Sequence, residues 1–449
     1  MNNRFRFYFL MLTVMLVVLV PVVASAQEIT GSFRVTVSQP SGEPAVGEAV
    51  TVTDTRTGSA RTAMTNDKGV INIRGLAIGG PFTIRVDSDT YRSTMVADAF
   101  TKLTGATTYN LTLEEQGTLE EVIVVASSMV LGSDVAIGPS SSFNIEQIEA
   151  MPSISREIRD IIRLDPRVNI TRGGAGGSQA YGINCLGGSG RSNSFTIDGV
   201  RSADGFGLNS SGTSARHNFP IPFDVVRAAS VEFAPIDVQY GHFTGCNVNV
   251  VTKSGGNEFN VSAFYLYSDD SMSGDSIDGD IVSSGDAEDI DWGFEFGGPI
   301  IKDKLFFYVA YEETDDSSVQ NSGPIGGGFA NEGFITMEEA AQIKAILASK
   351  YDRDVGEIVR SLPGVSERIF ARIDWNINDN HRFEATYRDL EESSLGPDGY
   401  GRFDGLTVSV GFNVNGTEHD YYAQRLFYNW THRFYTEKRF SSREVLDQP

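Results

Sequence analysis

Cysteine is nearly absent from this sequence, which has two cysteines in 449 residues. Two thiols cannot form the framework of a disulfide-dense secreted domain. They also cannot supply the four ligands of an all-cysteine zinc site. Any disulfide in the chain is therefore a single cross-link.

Basic residues are also few. The chain has 36 lysines and arginines against 59 aspartates and glutamates, for a formal net charge of −23. A polyanion of this kind does not bind nucleic acid unaided, because the phosphate backbone repels it. We therefore expect no nucleic-acid partner.

Long apolar runs are missing from every part of the sequence except its beginning. Arg4 and Arg6 precede an apolar run over Phe7–Val20, and Ala24–Ala26 supplies the small residues of a secretory cleavage site. We expect residues 1–26 to be a signal peptide and the mature chain to begin at Gln27. The alternative is an uncleaved signal anchor, although the run is shorter than the ~20 residues that span a bilayer. The lack of a later apolar run excludes a helical membrane protein and leaves a β-barrel open, since barrel strands are short and alternating.

Residues 27–115 contain short strand-like runs at about ten-residue spacing, separated by turn-forming stretches that contain glycine. This rhythm predicts a small β-sandwich, and the 47 glycines and 28 phenylalanines of the whole chain also favour strands and turns over a helical bundle. The expected strands are Phe33–Val37, Ala49–Thr53, Arg61–Thr65, Val70–Ile73, Phe82–Val86 and Thr107–Leu113.

The segment resembles the carboxypeptidase regulatory-like sandwich, a carbohydrate-binding-like fold, through its Gly-Glu-Ala-Val-Thr-Val and Thr-Asn-Asp-Lys-Gly-Val-Ile-Asn-Ile stretches. The resemblance implies sugar binding, but Phe33, Phe82 and Tyr91 fall at strand positions and are expected in the core. A zinc carboxypeptidase needs a His-x-x-Glu pair and a distant His. The single His-x-x-Glu, His381 to Glu384, lies far outside this segment. We therefore expect no enzyme here, and no catalytic residue, metal or cofactor.

Residues 116–254 combine a short extended run with a helix and several strand motifs. The run is Glu121–Ala126, which is either a segment that pairs with another chain by strand addition or an ordinary internal strand. Apolar residues at helical spacing predict a helix over Ile154–Leu164. The glycine-rich stretch Arg172–Gly177 has neither the dinucleotide fingerprint nor the P-loop lysine, so it predicts a loop.

Three motifs in this segment occur in the order found in the plug domain of TonB-dependent outer-membrane receptors. They are the helix with Arg-Asp-Ile-Ile-Arg, the element Thr-Ile-Asp-Gly-Val, and the exit Tyr-Gly followed by Asn-Val-Asn-Val-Val-Thr-Lys-Ser-Gly. The preceding sandwich and the later Gly-Pro-Ile-Ile-Lys-Asp-Lys-Leu-Phe-Phe motif narrow the resemblance to the Oar-like branch.

The resemblance implies roles for particular residues. The TonB box maps onto Glu121, Val122, Ile123, Val124, Val125 and Ala126, and the plug motif onto Ile197, Asp198, Gly199, Tyr240 and Gly241. Arg167 and Cys246 depart from the family pattern, which usually has glycine at both positions. Because Cys185 lies in the same exported domain as Cys246, we predict a disulfide between them, the alternative being two unpaired core thiols.

Residues 255–449 alternate between apolar and polar side chains over about six strands, which fits a barrel that is apolar outside and polar inside. Alternation alone does not separate this barrel from a water-soluble one, but the connections alternate long and short, as expected for tall extracellular loops and tight periplasmic turns. The fold class is thus mostly β, with an N-terminal β-sandwich, an α+β plug domain and the first strands of an antiparallel transmembrane β-barrel.

The long connections carry few chemical signals. The first is acidic, but its spacing fits no Asp-x-Asp-x-Asp-Gly calcium loop, so we expect a solvated loop. The second contains a predicted helix over Met337–Lys350. Six strands fall short of the ~22 of a plugged transporter barrel, so we expect the sequence to be the first half of a longer protein or the product of a disrupted gene.

As the resemblance implies, the expected function is uptake of a siderophore, oligosaccharide or peptide into the periplasm of a Gram-negative cell, driven through TonB. The expected partners are TonB, outer-membrane lipid and an extracellular ligand, with sandwich and plug on the periplasmic side. The alternative is a surface adhesion protein whose barrel displays the sandwich and loops.

Overall fold

The computed structural model describes the chain from residue 30 to residue 448 with internal gaps, so the predicted signal peptide lies outside the described residues. The gaps are 104, 116–121, 124–138, 152, 154–155, 172–181, 203–212, 214, 216–218, 234–240, 242, 273, 275, 278–279, 282–287, 321, 330, 355–356, 379, 399–410 and 432–433.

Two sheets form the first domain, in the strand orders β4-β1-β8 and β10-β7-β5-β2-β3, with β6 and β9 as a separate pair. The strands are β1 (Gly31–Ser38), β2 (Ala49–Asp54), β3 (Ala60–Met64), β4 (Val70–Leu76), β5 (Gly79–Asp87), β6 (Tyr91–Arg92), β7 (Thr94–Thr101), β8 (Ala106–Thr112), β9 (Glu114–Glu115) and β10 (Val122–Ile123).

The core of this sandwich is apolar and contains the aromatic residues expected there. Phe33 is fully buried, and its ring meets those of Phe82 and Tyr109 edge-on at centroid distances of 5.4 and 5.5 Å. Edge-to-face packing of this kind adds to the free energy of burial. The interior positions of the strands are therefore filled by side chains that pack on one another.

Strand β7 has no counterpart among the six strands expected from the sequence. Asp98, near its middle, has a φ of 53°, and the pairing of β7 with β5 shifts register next to it. The bulge interrupts the alternation, with Asp98 exposed between half-buried and buried neighbours. A pattern search at period two therefore misses this strand.

The second domain is a five-stranded sheet, in the order β11-β16-β17-β14-β15, covered by two short helices. Its elements are β11 (Ser140–Phe143), α1 (Ile145–Ala150), α2 (Ile158–Ile162), β12 (Val168–Thr171), β13 (Gly182–Cys185), β14 (Ser194–Ile197), β15 (Val200–Arg201), β16 (Val226–Phe233) and β17 (Cys246–Thr252). Strands β16 and β17 are buried along their whole length.

Helix α2 is shorter than the helix predicted over Ile154–Leu164. Beyond Ile162 the backbone tightens, since the Leu164 amide donates to Ile161 O at 3.1 Å and the Asp165 amide donates to Ile162 O at 3.2 Å. Bonds of this three-residue type commonly close a helix. The helix buries Ile158, Ile161 and Ile162 in the core of the domain.

The third domain is one antiparallel sheet of seven strands in the order β18-β21-β22-β25-β26-β27-β28, with two short strand pairs and a helix in its connections. The elements are β18 (Asn260–Asp269), β19 (Ser276–Ile277), β20 (Asp280–Ile281), β21 (Glu288–Ile301), β22 (Leu305–Val319), β23 (Ser322–Ile325), β24 (Asn331–Thr336), α3 (Met337–Tyr351), β25 (Ser361–Asn378), β26 (His381–Asp398), β27 (Gly411–Thr431) and β28 (Phe434–Gln448).

The count of about six strands is corrected to seven in this sheet. Strand β28 forms where the alternation weakens, because it pairs with β27 through its backbone over nearly its whole length. The long connections are also shorter than expected, since β22 extends to Val319 and β26 to Asp398.

The alternation assigns side chains to the two faces of this sheet as expected. In β25, Ile369 and Ile373 of the outer face are 37% and 43% exposed, whereas Arg372 between them is buried. On the other face, Tyr308, Ala310 and Phe370 are buried in the core of the second domain. The inner face of the sheet therefore packs against that domain.

Helix α3 confirms the helix predicted over Met337–Lys350. It begins with a capping box, in which Thr336 and Glu339 each bond the other's backbone amide, and it ends at Asp352 with a φ of 50°. None of the helices among the described residues is long and apolar enough to cross a membrane.

Candidate functional site

The plug motif lies at a tight turn between β14 and β15. Asp198 and Gly199 have φ values of 50° and 70°, as two central residues of a type I′ hairpin require. The Asp198 carboxylate accepts two hydrogen bonds from Thr252 at the end of β17, at 3.0 Å from the amide and 2.7 Å from the hydroxyl. Ile197 is buried in the core. The motif therefore ties the hairpin to the strand that leads out of the domain.

Arg372 of β25 meets this turn from the inner face of the barrel sheet. Its guanidinium donates to the Thr252 hydroxyl at 3.0 Å and lies 3.7 Å from the Asp198 carboxylate. Two further bonds, at 2.8 and 2.7 Å, hold the same group on Asp374. Arg372 therefore links the plug motif to the barrel wall.

Glu384 extends this charge network along the wall. Its carboxylate lies 3.3 Å from Arg372, 2.8 Å from Arg425 and 3.0 Å from Arg382. Removing one partner of a buried ion pair leaves an uncompensated charge and typically costs about 3–5 kcal/mol. Arg439 of β28 donates a hydrogen bond of 3.4 Å to the carbonyl of Gly199. The turn is therefore fixed from β25 and from β28.

A second contact between plug and barrel centres on Glu312 of β22, which is fully buried. Its carboxylate accepts from the Phe223 amide at 2.7 Å and from Arg156 at 3.3 Å. Arg156 also forms an ion pair of 2.7 Å with Asp224 and lies 3.4 Å from the ring centre of Phe264. This arrangement satisfies a buried carboxylate with donors from the plug.

A third contact lies where the chain passes from plug to barrel. The Lys253 ammonium donates to Glu295 of β21 at 3.1 Å, and the Tyr308 hydroxyl donates to the same carboxylate. Together the three contacts place charged barrel side chains against the plug. The sequence predicted that these side chains would face inward, but it did not predict that they would pair with the plug.

The two cysteines are joined by a disulfide between β13 and β17, with a sequence separation of 61 and a distance of 5.9 Å between their Cα atoms. Asn193 supports this region, because its side chain accepts from the Cys246 amide at 3.0 Å and donates to Ile183 O. A Cβ at Gly245 would lie 2.1 Å from the Asn193 oxygen, so only glycine fits there.

Arg167, which departs from the family pattern, has a local role. It bonds Asp165 at 2.9 Å through Nε, donates to the Ser141 hydroxyl at 2.9 Å and lies 4.2 Å from the ring centre of Phe233. Its bonds lower the pKa of Asp165 from 3.8 to about 2. Asp165 and Arg167 therefore connect the end of α2 to Ser141 in β11, the edge strand of the plug sheet.

Glu157, at the start of α2, is a buried carboxyl inside the plug. Burial raises its pKa above the ordinary value, while Arg159 opposes that shift as its ion-pair partner. The carboxylate also accepts from the Phe219 amide at 3.0 Å. This pair therefore holds a loop of the plug in place.

The predicted TonB box is described only at Val122 and Ile123. These residues form β10, which pairs in parallel with Thr94 and Met95 of β7. The other box residues, Glu121 and 124–126, lie outside the described residues, as does Tyr240 of the plug motif. Gly241 is exposed, and a Cβ built there would meet no atom within 4 Å.

The sandwich contacts the plug through hydrogen bonds from one arginine, which the sequence does not predict. Arg227 of β16 donates to the carbonyls of Ile78 and Gly80 at 2.6 and 2.7 Å. Burial lowers the pKa of Arg227 to about 9. Beside it, Ile78 and Leu103 of the sandwich pack on Ala228 and Val251 of the plug. The sequence pattern does not predict this contact, because Arg227 binds backbone carbonyls, which every residue has.

The sandwich also contacts the first short turn of the barrel. Asn257 donates to the Asp303 carboxylate at 2.7 Å, and the Asp303 amide donates back to Asn257 at 2.8 Å. The Asn257 amide in turn donates to Arg56 O at 2.7 Å. Within the residues that the structure describes, no group of three or more potential ligands is arranged to hold a metal ion.

Three family models match successive parts of the chain. The carboxypeptidase regulatory-like domain matches residues 32–114, the TonB-dependent receptor plug domain matches residues 135–245, and an outer membrane beta barrel domain matches residues 251–324. The chain therefore contains, in order, domains that are similar to those of Oar-like TonB-dependent receptors. The same domains indicate the outer membrane of a Gram-negative cell.

One curated relative is the TonB-dependent transporter Oar from Myxococcus xanthus, which is 24% identical over 285 residues. That match covers 60% of this chain and 25% of the relative, so the chain spans about a quarter of the relative's length. This relative is named as a transporter and not as an enzyme.

Similar solved structures include the siderophore receptor PirA from Acinetobacter baumannii, with 17% identity and a TM-score of 0.44 over 68% of this chain and 39% of that one. The outer membrane transporter YddB from Escherichia coli has 13% identity and a TM-score of 0.44, over 66% of this chain and 38% of that one.

Proposed function

We propose that this chain belongs to a receptor that takes up an extracellular ligand across the outer membrane with energy supplied through TonB. The observation that supports this most strongly is the contact between Asp198, Thr252 and Arg372, which holds the plug on the inner face of the barrel strands. A plug held by buried polar contacts closes the passage at rest. Opening it requires work, because the contacts break only if charged groups are separated.

In this account, TonB supplies that work through the run Glu121–Ala126. Strand addition needs an extended segment with unpaired backbone groups, and Val122–Ile123 is extended in the structure. We propose that TonB pulls on this run and that the force is transmitted along the covalent chain to β11, the first strand of the plug. When the plug moves, Arg372, Glu384 and Arg425 become exposed to water and line a polar path for the ligand.

The ligand classes that we carry forward are siderophores, oligosaccharides and peptides. A ligand would reach the extracellular connections of the barrel and the outer side of the plug. Ligand binding there transmits a signal to the periplasmic side only if the ligand binds more tightly when the contacts between plug and barrel are altered. No bond of the ligand is made or broken in this mechanism.

A binding measurement with TonB tests the proposal. The full protein in detergent is titrated with the purified periplasmic domain of TonB, with and without residues 121–126. The matched control lacks six residues of the same connector, 131–136. We expect binding to be lost only when residues 121–126 are deleted. Equal binding by both deletion variants would contradict the proposal and favour the surface adhesion protein.

A further inference from the structure

Part of the predicted TonB box, Val122–Ile123, forms the edge strand of the larger sandwich sheet. Strand β10, Val122–Ile123, is the last strand in the order β10-β7-β5-β2-β3. It pairs with Thr94 and Met95, so it uses two of the eight residues of β7. Among the described residues, no strand pairs with the outer side of β10.

The path of the chain holds β10 at this edge. Strand β9 pairs with β6 directly before β7, in the register Tyr91 to Glu115 and Arg92 to Glu114. Arg92 and Glu114 also form an ion pair of 3.7 Å. Six residues, 116–121, then connect β9 to β10. Such a short connection gives the segment a high effective concentration beside β7.

The edge itself is fixed relative to the plug. Strand β7 pairs with β5, and β5 begins at the point where Arg227 of the plug binds the carbonyls of Ile78 and Gly80. Gly79, between these carbonyls, has a φ of 82°, and a Cβ there would lie 2.9 Å from the Arg227 guanidinium. The sandwich edge, β10 and the plug therefore form one continuous chain of contacts.

We propose that the sandwich presents Val122–Ile123 to TonB as a preformed edge strand, so that TonB adds to the outer side of β10 while β7 keeps the inner side. This inference rests on the proposed function. A strand that is already extended loses less conformational entropy when a partner pairs with it. In a β-strand, successive residues direct their backbone groups to opposite sides, so both neighbours can be accommodated.

The charges around β10 define the partner further. Glu114, Glu115, Glu120 and Glu121 are close in sequence to the strand, and Arg92 pairs with one of them. The complementary partner is an extended segment flanked by lysine or arginine. Its affinity should fall as salt screens these charges.

A reversible cross-link tests the inference. Thr94 and Val122 are register partners, so the double variant Thr94→Cys/Val122→Cys should form a disulfide that fixes β10 on β7. The full protein is oxidised, the cross-link is verified by mass, and the periplasmic domain of TonB is titrated before and after mild reduction. The single variant Thr94→Cys is the control, and the native disulfide is protected because Cys185 and Cys246 are buried.

The inference predicts that the oxidised variant binds TonB with a Kd within about threefold of the reduced one. Binding that is about tenfold or more weaker after oxidation, and that recovers on reduction, would show that TonB displaces β10, which overturns the inference. Failure of the two thiols to cross-link would also overturn it, because the strand pair would then be absent. A reduced variant and wild type that both fail to bind TonB would instead overturn the proposed function.

Discussion

Asp198 of the plug and Arg372 of the barrel share one hydroxyl group. The Thr252 hydroxyl donates to Asp198 at 2.7 Å and accepts from Arg372 at 3.0 Å. The hydroxyl therefore joins the carboxylate and the guanidinium, which lie 3.7 Å apart. Through this relay, the turn of the plug motif is fixed to the barrel wall.

Thr252→Val should loosen the plug without disturbing the barrel. Valine has nearly the same shape as threonine but lacks the hydroxyl, so the buried Asp198 carboxylate and the buried Arg372 guanidinium each lose one hydrogen bond. We expect the plug to lose about 1–3 kcal/mol of stability. Protease cleavage of the plug as a function of urea measures this loss.

The matched control for that variant is Thr51→Val. Thr51 is a partly exposed sandwich threonine that bonds another threonine, Thr62, at 2.8 Å. Its substitution should leave plug cleavage unchanged. A similar shift in both variants would mean that the relay does not hold the plug.

The Asp165 carboxyl predicts a pH dependence of plug stability. Its pKa is lowered from 3.8 to about 2 by the bonds from Arg167 and Ser141. A lowered folded-state pKa stabilises the fold above the unfolded pKa, and this stabilisation is lost as the pH falls through the folded pKa. For such a shift the loss amounts to about 2 kcal/mol between about pH 4 and pH 2.

Asp165→Asn should remove that part of the pH dependence. The asparagine does not ionise, so the variant should be less stable than wild type at pH 6 and should lose less stability on acidification. Urea unfolding of the plug at pH 6, 4 and 3 makes the comparison. Parallel curves for the two proteins would rule out the contribution of Asp165.

Loss of the disulfide should destabilise the plug. In the chain-entropy model, a cross-link that closes a loop of about sixty residues contributes about 3–4 kcal/mol. Cys185→Ala/Cys246→Ala should lower the urea midpoint of plug unfolding, and reduction of the wild type should lower it in the same direction. An unchanged midpoint in the double variant would contradict a structural role.

Arg227→Met should release the sandwich from the plug. Methionine keeps much of the apolar length but leaves the carbonyls of Ile78 and Gly80 without their donor, at a cost of about 2–4 kcal/mol. Hydrogen exchange in residues 78–80 and 101–103 should accelerate. Arg74→Met, at an exposed position of β4, serves as the control and should leave exchange unchanged.

The sequence predicts the parts of this fold that repeat at a fixed period. Alternation along β25 places Ile369 and Ile373 on the outer face, and the capping residues Thr336 and Glu339 mark the start of α3. These signals are local, because they depend on side chains a few residues apart. The plug motif Asp198-Gly199 is likewise typical of a tight turn.

The contacts that assemble the domains are not predictable in the same way. Arg372 meets Thr252 across 120 residues of sequence, and Arg227 meets Ile78 across 149. Neither pair follows from a period, and the second ends on a backbone carbonyl that any residue could supply. Strand β7 was missed for a local reason, since the bulge at Asp98 breaks its alternation.

Uptake by cells tests the central claim most directly. Cells that produce the full-length receptor are offered labelled ferric siderophores, oligosaccharides and peptides, with TonB present or deleted and with residues 121–126 present or deleted. We predict that one class accumulates in the periplasm only when TonB and residues 121–126 are both present, at equal receptor levels in the outer membrane. Accumulation that is independent of TonB, or no accumulation of any class, would contradict the account.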